Sequence, residues 1–376
     1  MKEFTRGLRA FFRGADLPLL FLCLVAAGFG MVLISSAGAP MEGGAGPLLR
    51  TQATGIGLGV LLFVLFTLID LDFLARRWKW ILGFNIVMLL LIIPFGRAVG
   101  GNKSWIFIPG IPMGIQPAEI VKVGFIVLLA AQMYACRERL NHVLSVGGYF
   151  FHMLLMVALI QVLSNDLGVA LIYVAIFICM MIGAGIMARW FAVAGAALAG
   201  IAPLAWAFLS DGQKERILAV FNPLAVADSA GYQALRSMRM VGGGQLFGSG
   251  LYKGVQTQNG RLFAQQTDFI FAVCGEELGF VGCICLVLLL AAIIARCLMI
   301  ARRAKNGIGS LVCVGVAGML IFQTFLNIFM CVGLAPVVGI TLPFFSSGGS
   351  SVMATFAAMG LVSSVKMHPK RTWLDY

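Results

Sequence analysis

Charge is scarce in this sequence: Asp, Glu, Lys and Arg make up 11% of its 376 residues, against roughly 25% in a soluble domain. That shortage excludes a soluble globular enzyme. Acid is scarcer than base, with 15 Asp and Glu against 27 Lys and Arg. Histidine occurs three times, at His142, His152 and His368, with no ligand spacing, so no helix-borne zinc motif is present. The nine cysteines form no pairing framework. Eight fall inside apolar runs or, like Cys297, at the edge of one, Cys136 sits at a helix end, and Cys283 and Cys285 point to different faces of one helix. A disulfide scaffold or cysteine metal site is not indicated.

Apolar residues take the place of charge. They make up 60% of the chain, and the mean hydropathy is +0.98. A bilayer needs roughly 20 apolar residues per helix, and such runs recur near 17–36, 52–69, 80–99, 117–134, 143–163, 167–186, 190–209, 268–296, 308–332 and 350–366. The first follows a basic amino terminus, but its length exceeds the core of a signal peptide. These runs predict an all-α membrane protein of about ten transmembrane helices, a single polytopic domain over residues 1–376.

The net charge of +12 follows the same plan. Lys and Arg gather in alternate segments: Lys2 to Arg13, Arg76 to Lys79, Arg137 and Arg139, Arg189, Arg296 to Lys305, and Lys366 to Arg371. The short loops between them hold Arg50, Arg97 and Lys103. This is the positive-inside pattern, and it predicts both termini in the cytoplasm. The basic excess is topological and gives no ground for nucleic-acid binding. Residues 210–267 form the one long hydrophilic stretch, predicted outside between the seventh and eighth spans. A loop of that length is usually functional or disordered. Its glycines, from Gly242 to Gly260, permit unusual backbone angles or close approach to a ligand.

Ionisable side chains inside spans are costly and point to function. In Gln116-Pro117-Ala118-Glu119, Pro117 suits a first helical position and Glu119 a first turn, where the helix dipole favours an anion. Lys122, three residues on, either neutralises Glu119 as a structural pair or meets an anionic group such as pyrophosphate in a cavity. Thr267 reads as an N-cap, with Asp268 in the first turn behind it. At about 100° per residue, Gly275, Gly279 and Gly282 follow Asp268 as a stripe that admits another backbone or a lipid tail. Glu276 and Glu277 fall off that stripe and suit pairing with Arg or a backbone group. Asp166 fits a cap in a tight outer turn. The segment 333–349 is apolar yet broken by Pro336, Gly339, Pro343, Gly348 and Gly349, and such backbone at membrane depth is tolerated only when buried or lining a wet cavity. Ser346 and Ser347 would bring hydroxyls to that cavity.

These blocks resemble the signature of the SEDS family of RodA, FtsW and SpoVE proteins. The resemblance is carried by Thr267-Asp268-Phe269-Ile270-Phe271-Ala272-Val273 with Gly275-Glu276-Glu277-Leu278-Gly279, and by Lys103-Ser104-Trp105-Ile106 with Gln116 to Glu119. Asp166-Leu167-Gly168, Gly231-Tyr232-Gln233, Gly339 to Phe344 and Ser346 to Ser351 complete it, in family order over nearly the whole chain. The chain departs from the family at Ala264-Gln265, where a Pro-Glu pair is usual, and at Ala118, Ser347 and Arg239-Met240-Val241.

The resemblance implies a ten-helix fold and a peptidoglycan glycosyltransferase that polymerises lipid II, an undecaprenyl-linked precursor, on the outer face of the bacterial cytoplasmic membrane. A class B penicillin-binding protein, a transpeptidase, is the implied partner beside membrane lipids. The family's essential acid matches Asp268; Trp105, Glu119, Lys122 and Asp166 match other functional positions. A RodA-type role in elongation is closer in character than division or sporulation. On this reading Asp268 is the base for the acceptor hydroxyl, and Lys122, with Lys103 or a loop Arg, offsets the charge of the leaving pyrophosphate. A divalent cation, Mg or Mn, near Asp268 or Glu119 is the other source of that charge. Trp105 would pack on a sugar or lipid. Broken helices also occur in transporters, so a flippase of the lipid-linked precursor is the alternative.

Overall fold

The structure, a computed structural model, describes residues 11–99, 102–110, 112–208, 211–226 and 230–369. Lys2, Arg6, Arg9, Leu209, Ser210, Asp228, Lys370 and Arg371 lie outside the described residues.

Nine segments among the described residues are long and apolar enough to cross a membrane. They comprise α1 (Leu17–Ala37), α2 (Gly46–Leu68), α3 (Trp78–Leu90, continued by Ile92–Phe95), α4 (Pro117–Ala135), α5 (Val143–Ser164) and α6 (Leu167–Ala184). After α7 (Ala188–Phe208), α8 (Asp211–Phe221) and α9 (Ala230–Gly243) come the spans α10 (Ile270–Arg303), α11 (Gly307–Cys331) and α12 (Gly349–Met367). The run expected near 190–209 falls in α7, whose shorter apolar stretch is Ala188–Ile201.

Polar residues in the connections set the helix ends. Asp16 accepts from Leu19 N at 3.0 Å to start α1, Asn165 at φ 51° ends α5, and Asp166 starts α6. The centre of the bundle is α12, buried along nearly its whole length. It fits against α2 because glycines remove side chains at the contact. A Cβ on Gly59 would stand 2.9 Å from the Phe356 ring, and one on Gly360 2.7 Å from Phe63 O.

Two expectations are corrected. The third span stops at Phe95, not Val99. Gly96–Val99 (β1), Asn102–Phe107 (β2) and Gly114–Ile115 (β3) form an antiparallel sheet in that order. Its register pairs Arg97 with Trp105 and Phe107 with Gly114, with an irregularity at Arg97/Ala98. Within residues 210–267, α8, α9 and a short helix Val255–Gln258 fill much of the stretch. Finally, Asp268 is not in a helical first turn. The amides of Thr267, Asp268 and Phe269 all turn back onto Ala264 O at 3.0 to 3.4 Å. Phe269 takes the N-cap position and the helix opens at Ile270.

The glycine stripe admits another stretch of backbone. At 34 residues α10 is about 50 Å long, far beyond a hydrocarbon core of about 30 Å, and it breaks at Gly279. There φ is 65° and ψ is −162°, a conformation nearly restricted to glycine. The freed groups are satisfied by the preceding segment. Ser249 N and Gly250 N donate to Glu276 O and Glu277 O at 3.0 and 2.9 Å. Phe280 N and Val281 N donate to Gln245 O and Leu246 O at 2.8 and 3.1 Å. The backbone that approaches the glycines is the chain's own.

Candidate active site

Three elements begin or end at one end of the bundle and carry acids. At the start of α4, Pro117 occupies the first turn and Glu119 meets Lys122 Nζ at 2.7 Å, with both side chains buried. Gln116 bridges outward: its Nε2 donates to Asp166 Oδ2 at 2.9 Å, and its backbone N donates to Ser350 Oγ at 3.3 Å. Asp166 accepts from Val169 N at 3.1 Å. Burial, reinforced by Glu119, holds its carboxyl above the ordinary range against its hydrogen bonds to Val169, Gln116 and Gly168.

Asp268 lies half-buried in the turn before α10. Burial pushes its carboxyl up to about 6. Its bond to Thr267 and the charge of Arg216 pull it down, while Asp166 pushes it up. The broken segment 332–348 passes directly over it: a Cβ on Gly339 (φ 72°) would stand 3.6 Å from Asp268 Oδ2. The same segment touches α6, where Gly168 faces Val338 O closely enough to leave no room for a Cβ. Asp166 and Asp268 are thus joined through one non-helical strap.

Hydrogen bonds fix that strap to the Asp268 turn. Ser346 Oγ donates to Thr267 O and accepts from Leu342 N at 2.8 Å, and Ser347 N donates to Gln266 O at 2.8 Å. Ser346 and Ser347, expected to offer hydroxyls to a cavity, are buried, and the Ser346 hydroxyl is engaged by backbone. Two residues missed from the sequence complete the anchorage. Asn327 Nδ2 donates to Asp268 O at 2.8 Å and to Ile340 O at 2.7 Å. Gln52 donates to Ser346 O at 3.2 Å and accepts from Gly348 N at 3.0 Å. Both are uncharged amides buried in apolar spans, a signal hidden by attention to ionisable groups alone.

The other candidates divide. Trp105 lies on β2 with its ring over Gly114, close enough that a Cβ there would be 2.9 Å from Cε3. β3 leads into Gln116 and so ties Trp105 to the site. Lys103 is exposed and donates to Ile93 O at 3.0 Å, in the helical turn that precedes its hairpin. Lys122 is 1% exposed and held by Glu119. Glu276 accepts from Gln256 N, Thr257 N and Thr257 Oγ1 at 2.7 to 2.8 Å. Glu277 accepts from Ser36 Oγ, Gly254 N and Gln258 Nε2. These acids clamp the segment before α10, through backbone and side-chain donors rather than Arg. Among the described residues, no group of three or more His, Cys, Asp or Glu stands close enough to hold a metal ion. A divalent cation here would depend on substrate oxygens for most of its ligands.

Fold and site together define a multi-pass membrane protein that joins Asp166 and Asp268 at one end of the bundle through a non-helical strap between its last two spans. The chain belongs to the FtsW, RodA and SpoVE family, whose model, described as "Cell cycle protein", matches residues 17–371. It is 30% identical to the probable peptidoglycan glycosyltransferase FtsW of Bacillus subtilis, over 96% of this chain and 93% of that one. It is 33% identical to the peptidoglycan glycosyltransferase MrdB of Escherichia coli, over 76% of each. Among solved structures, a chain from "Structural coordination of polymerization and crosslinking by a peptidoglycan synthase complex" aligns with TM-score 0.79 and 31% identity, over 94% of this chain and 97% of that one. The Thermus thermophilus rod shape determining protein RodA aligns with TM-score 0.66 and 29% identity, over 94% and 96%.

Proposed function

We propose that this chain is a peptidoglycan glycosyltransferase that polymerises lipid II at the outer face of the cytoplasmic membrane, with Asp268 as its base. The observation that carries the reading is the placement of Asp268. It is half-buried under the strap, and its carboxyl is raised to about 6. A carboxylate with that value is ionised at neutral pH yet a stronger base than an ordinary one. In the reaction the 4-hydroxyl of an acceptor GlcNAc attacks the anomeric carbon of the donor. The new C–O bond forms as the bond from that carbon to the pyrophosphate oxygen breaks. The hydroxyl proton passes to Asp268, and lipid pyrophosphate leaves. One displacement inverts the α-linked donor into a β-1,4 bond. Glu119 and Lys122 neutralise each other and shape the neighbouring wall, and Asp166 keeps a second negative charge near Asp268. The termini lie in the cytoplasm on this reading, a class B penicillin-binding protein crosslinks the product, and the role is RodA-type elongation.

The test is polymerisation of lipid II by purified protein, alone and with a class B partner, comparing wild type with Asp268→Asn and Asp268→Ala. Glycan chains from wild type and none from the variants, with unchanged thermal melts, is the expected result. Full activity in the variants removes Asp268 as the base. Transbilayer exchange of lipid II in liposomes without polymer would replace this reading with the flippase.

A further inference from the structure

We infer that Arg216 and the recess beside it form the binding site for the pyrophosphate of the polyprenyl carrier. The inference rests on the glycosyltransferase reading and adds the group that faces the leaving end of the donor. Departure of a pyrophosphate requires positive charge where negative charge develops. The cation that sequence alone favoured for this, Lys122, is enclosed and held at 2.7 Å by Glu119. Lys103 is turned onto Ile93 O.

Arg216 differs from both. It is exposed on α8, makes no ion pair or hydrogen bond among the described residues, and its charge is felt by the Asp268 carboxyl. Its neighbours shape a small recess. Arg216, Ala219 and Val220 fall at i, i+3 and i+4, one face of α8. That face, with Ala234 of α9 and the strap residues Gly333 and Ala335 to Val337, encloses a recess. The walls are small and apolar, so the guanidinium is their one charge. A guanidinium in such a setting favours phosphate oxygens, which it engages through two parallel hydrogen bonds.

The recess is also correctly placed along the chain. The strap runs from its wall at Val337 to Gly339 beside Asp268 Oδ2, two residues that span at most about 7 Å. An inverting displacement needs the anomeric carbon between the departing pyrophosphate and the base, and a pyrophosphate on Arg216 with the base at Asp268 would meet that need. The far wall is held in place as well. Ser237 Oγ of α9 donates to Cys331 O at 2.8 Å, and Met238 packs against Gly333. Folding of residues 211–243 onto the strap is what assembles the recess.

The experiment measures binding apart from catalysis. Full-length protein in detergent is melted with undecaprenyl diphosphate, with undecaprenol, and with inorganic pyrophosphate, for wild type, Arg216→Lys and Arg216→Gln. Steady-state polymerisation is followed in parallel. The diphosphate lipid raises the wild-type Tm and undecaprenol does not. Arg216→Gln keeps its own Tm, loses the diphosphate-dependent rise, and falls in kcat/KM by about 10- to 100-fold; Arg216→Lys keeps part of both. A rise with inorganic pyrophosphate alone would assign the site to free phosphate rather than the carrier and overturn the inference. So would an Arg216→Gln protein stabilised by the diphosphate lipid as strongly as wild type. Neither result touches the glycosyltransferase reading, which fails only if wild type makes no polymer.

Discussion

Asp16 and Asp268 both precede the first turn of a long helix, and their surroundings are opposite. Asp16 is fully buried and surrounded by donors. It takes Leu19 N at 3.0 Å, Arg296 Nη2 at 2.8 Å and Lys366 Nζ at 3.4 Å, while its own amide donates to Ser363 Oγ at 3.0 Å. Burial alone would raise its carboxyl, but Arg296, Leu19 and Lys366 bring it below the ordinary value. Roughly 40 Å back along α10 from Arg296, Asp268 has no cation in contact among the described residues, a second acid nearby, and a carboxyl raised to about 6. Asp16 joins the ends of α1, α10 and α12, a structural task that suits a fully satisfied charge. Asp268 is left short of partners, the condition that keeps a carboxylate basic enough to take a proton.

The sharpest way to break this comparison is to disable each acid in turn. Asp268→Asn removes the base but keeps the shape, so polymerisation falls by about 10²- to 10⁴-fold while the unfolding midpoint holds or rises. Arg296→Ala does the reverse. It strips the main partner from a buried carboxylate, a change that costs about 3 kcal/mol, read as a lower midpoint in detergent unfolding. The folded fraction keeps its activity per molecule. A variant at either position that lost stability and activity together would mean the two ends are not separable in this way.

The division was partly legible in the sequence. Asp268, Asp166 and the Glu119–Lys122 pair stood out because a charge in an apolar chain is rare and each sits at a helix start. Pro117 and the Pro- and Gly-broken stretch 333–349 announced their backbones. The break at Gly279 did not, because Phe280 to Arg303 continues as an unbroken helical pattern and the hydrogen bonds that replace the lost ones come from residues 245–250. The sheet at 96–115 was hidden for another reason: its strands are four, six and two residues long, too short for alternation to register against the apolar run before them. Asn327 and Gln52 were visible as letters, but only the fold shows which carbonyls they hold.

Acidity separates the two ends by sign. Asp268 binds a proton more tightly folded than unfolded, since its value is raised from 3.8 to about 6. Its contribution therefore favours the fold at low pH and is lost as pH rises through about 6. Asp16, lowered, contributes stability that is present above the ordinary carboxylate value and lost as pH falls through its folded one. Polymerisation needs Asp268 ionised, so kcat/KM should fall about tenfold per pH unit below about 6. Arg296→Ala should leave that activity profile in place and weaken the acid-side loss of stability. A rate that stayed flat down to pH 4 would remove Asp268 as the titrating base.

The smallest expected effect is the most specific, because it asks whether Asp268 is positioned or merely present. Asn327 is buried, never touches the carboxylate, and holds two carbonyls together: Asp268 O and Ile340 O, the latter next to Gly339. Its own Oδ1 is buried without a partner, so the side chain is kept there by what Nδ2 does. Asn327→Ala frees the strap from the turn and should lower kcat several-fold, the scale of one or two hydrogen bonds. Asn327→Asp should cost more, since it sets a carboxylate oxygen against two carbonyls. A purely structural residue would lower the melting point and leave the rate of folded enzyme and its pH profile alone. If Asn327 positions the base, loosening the strap rehydrates Asp268, and the acid limb of the profile moves below 6 towards the ordinary carboxylate value. An unshifted limb in a well-folded Asn327→Ala protein would assign that raised value to the turn alone, without the strap.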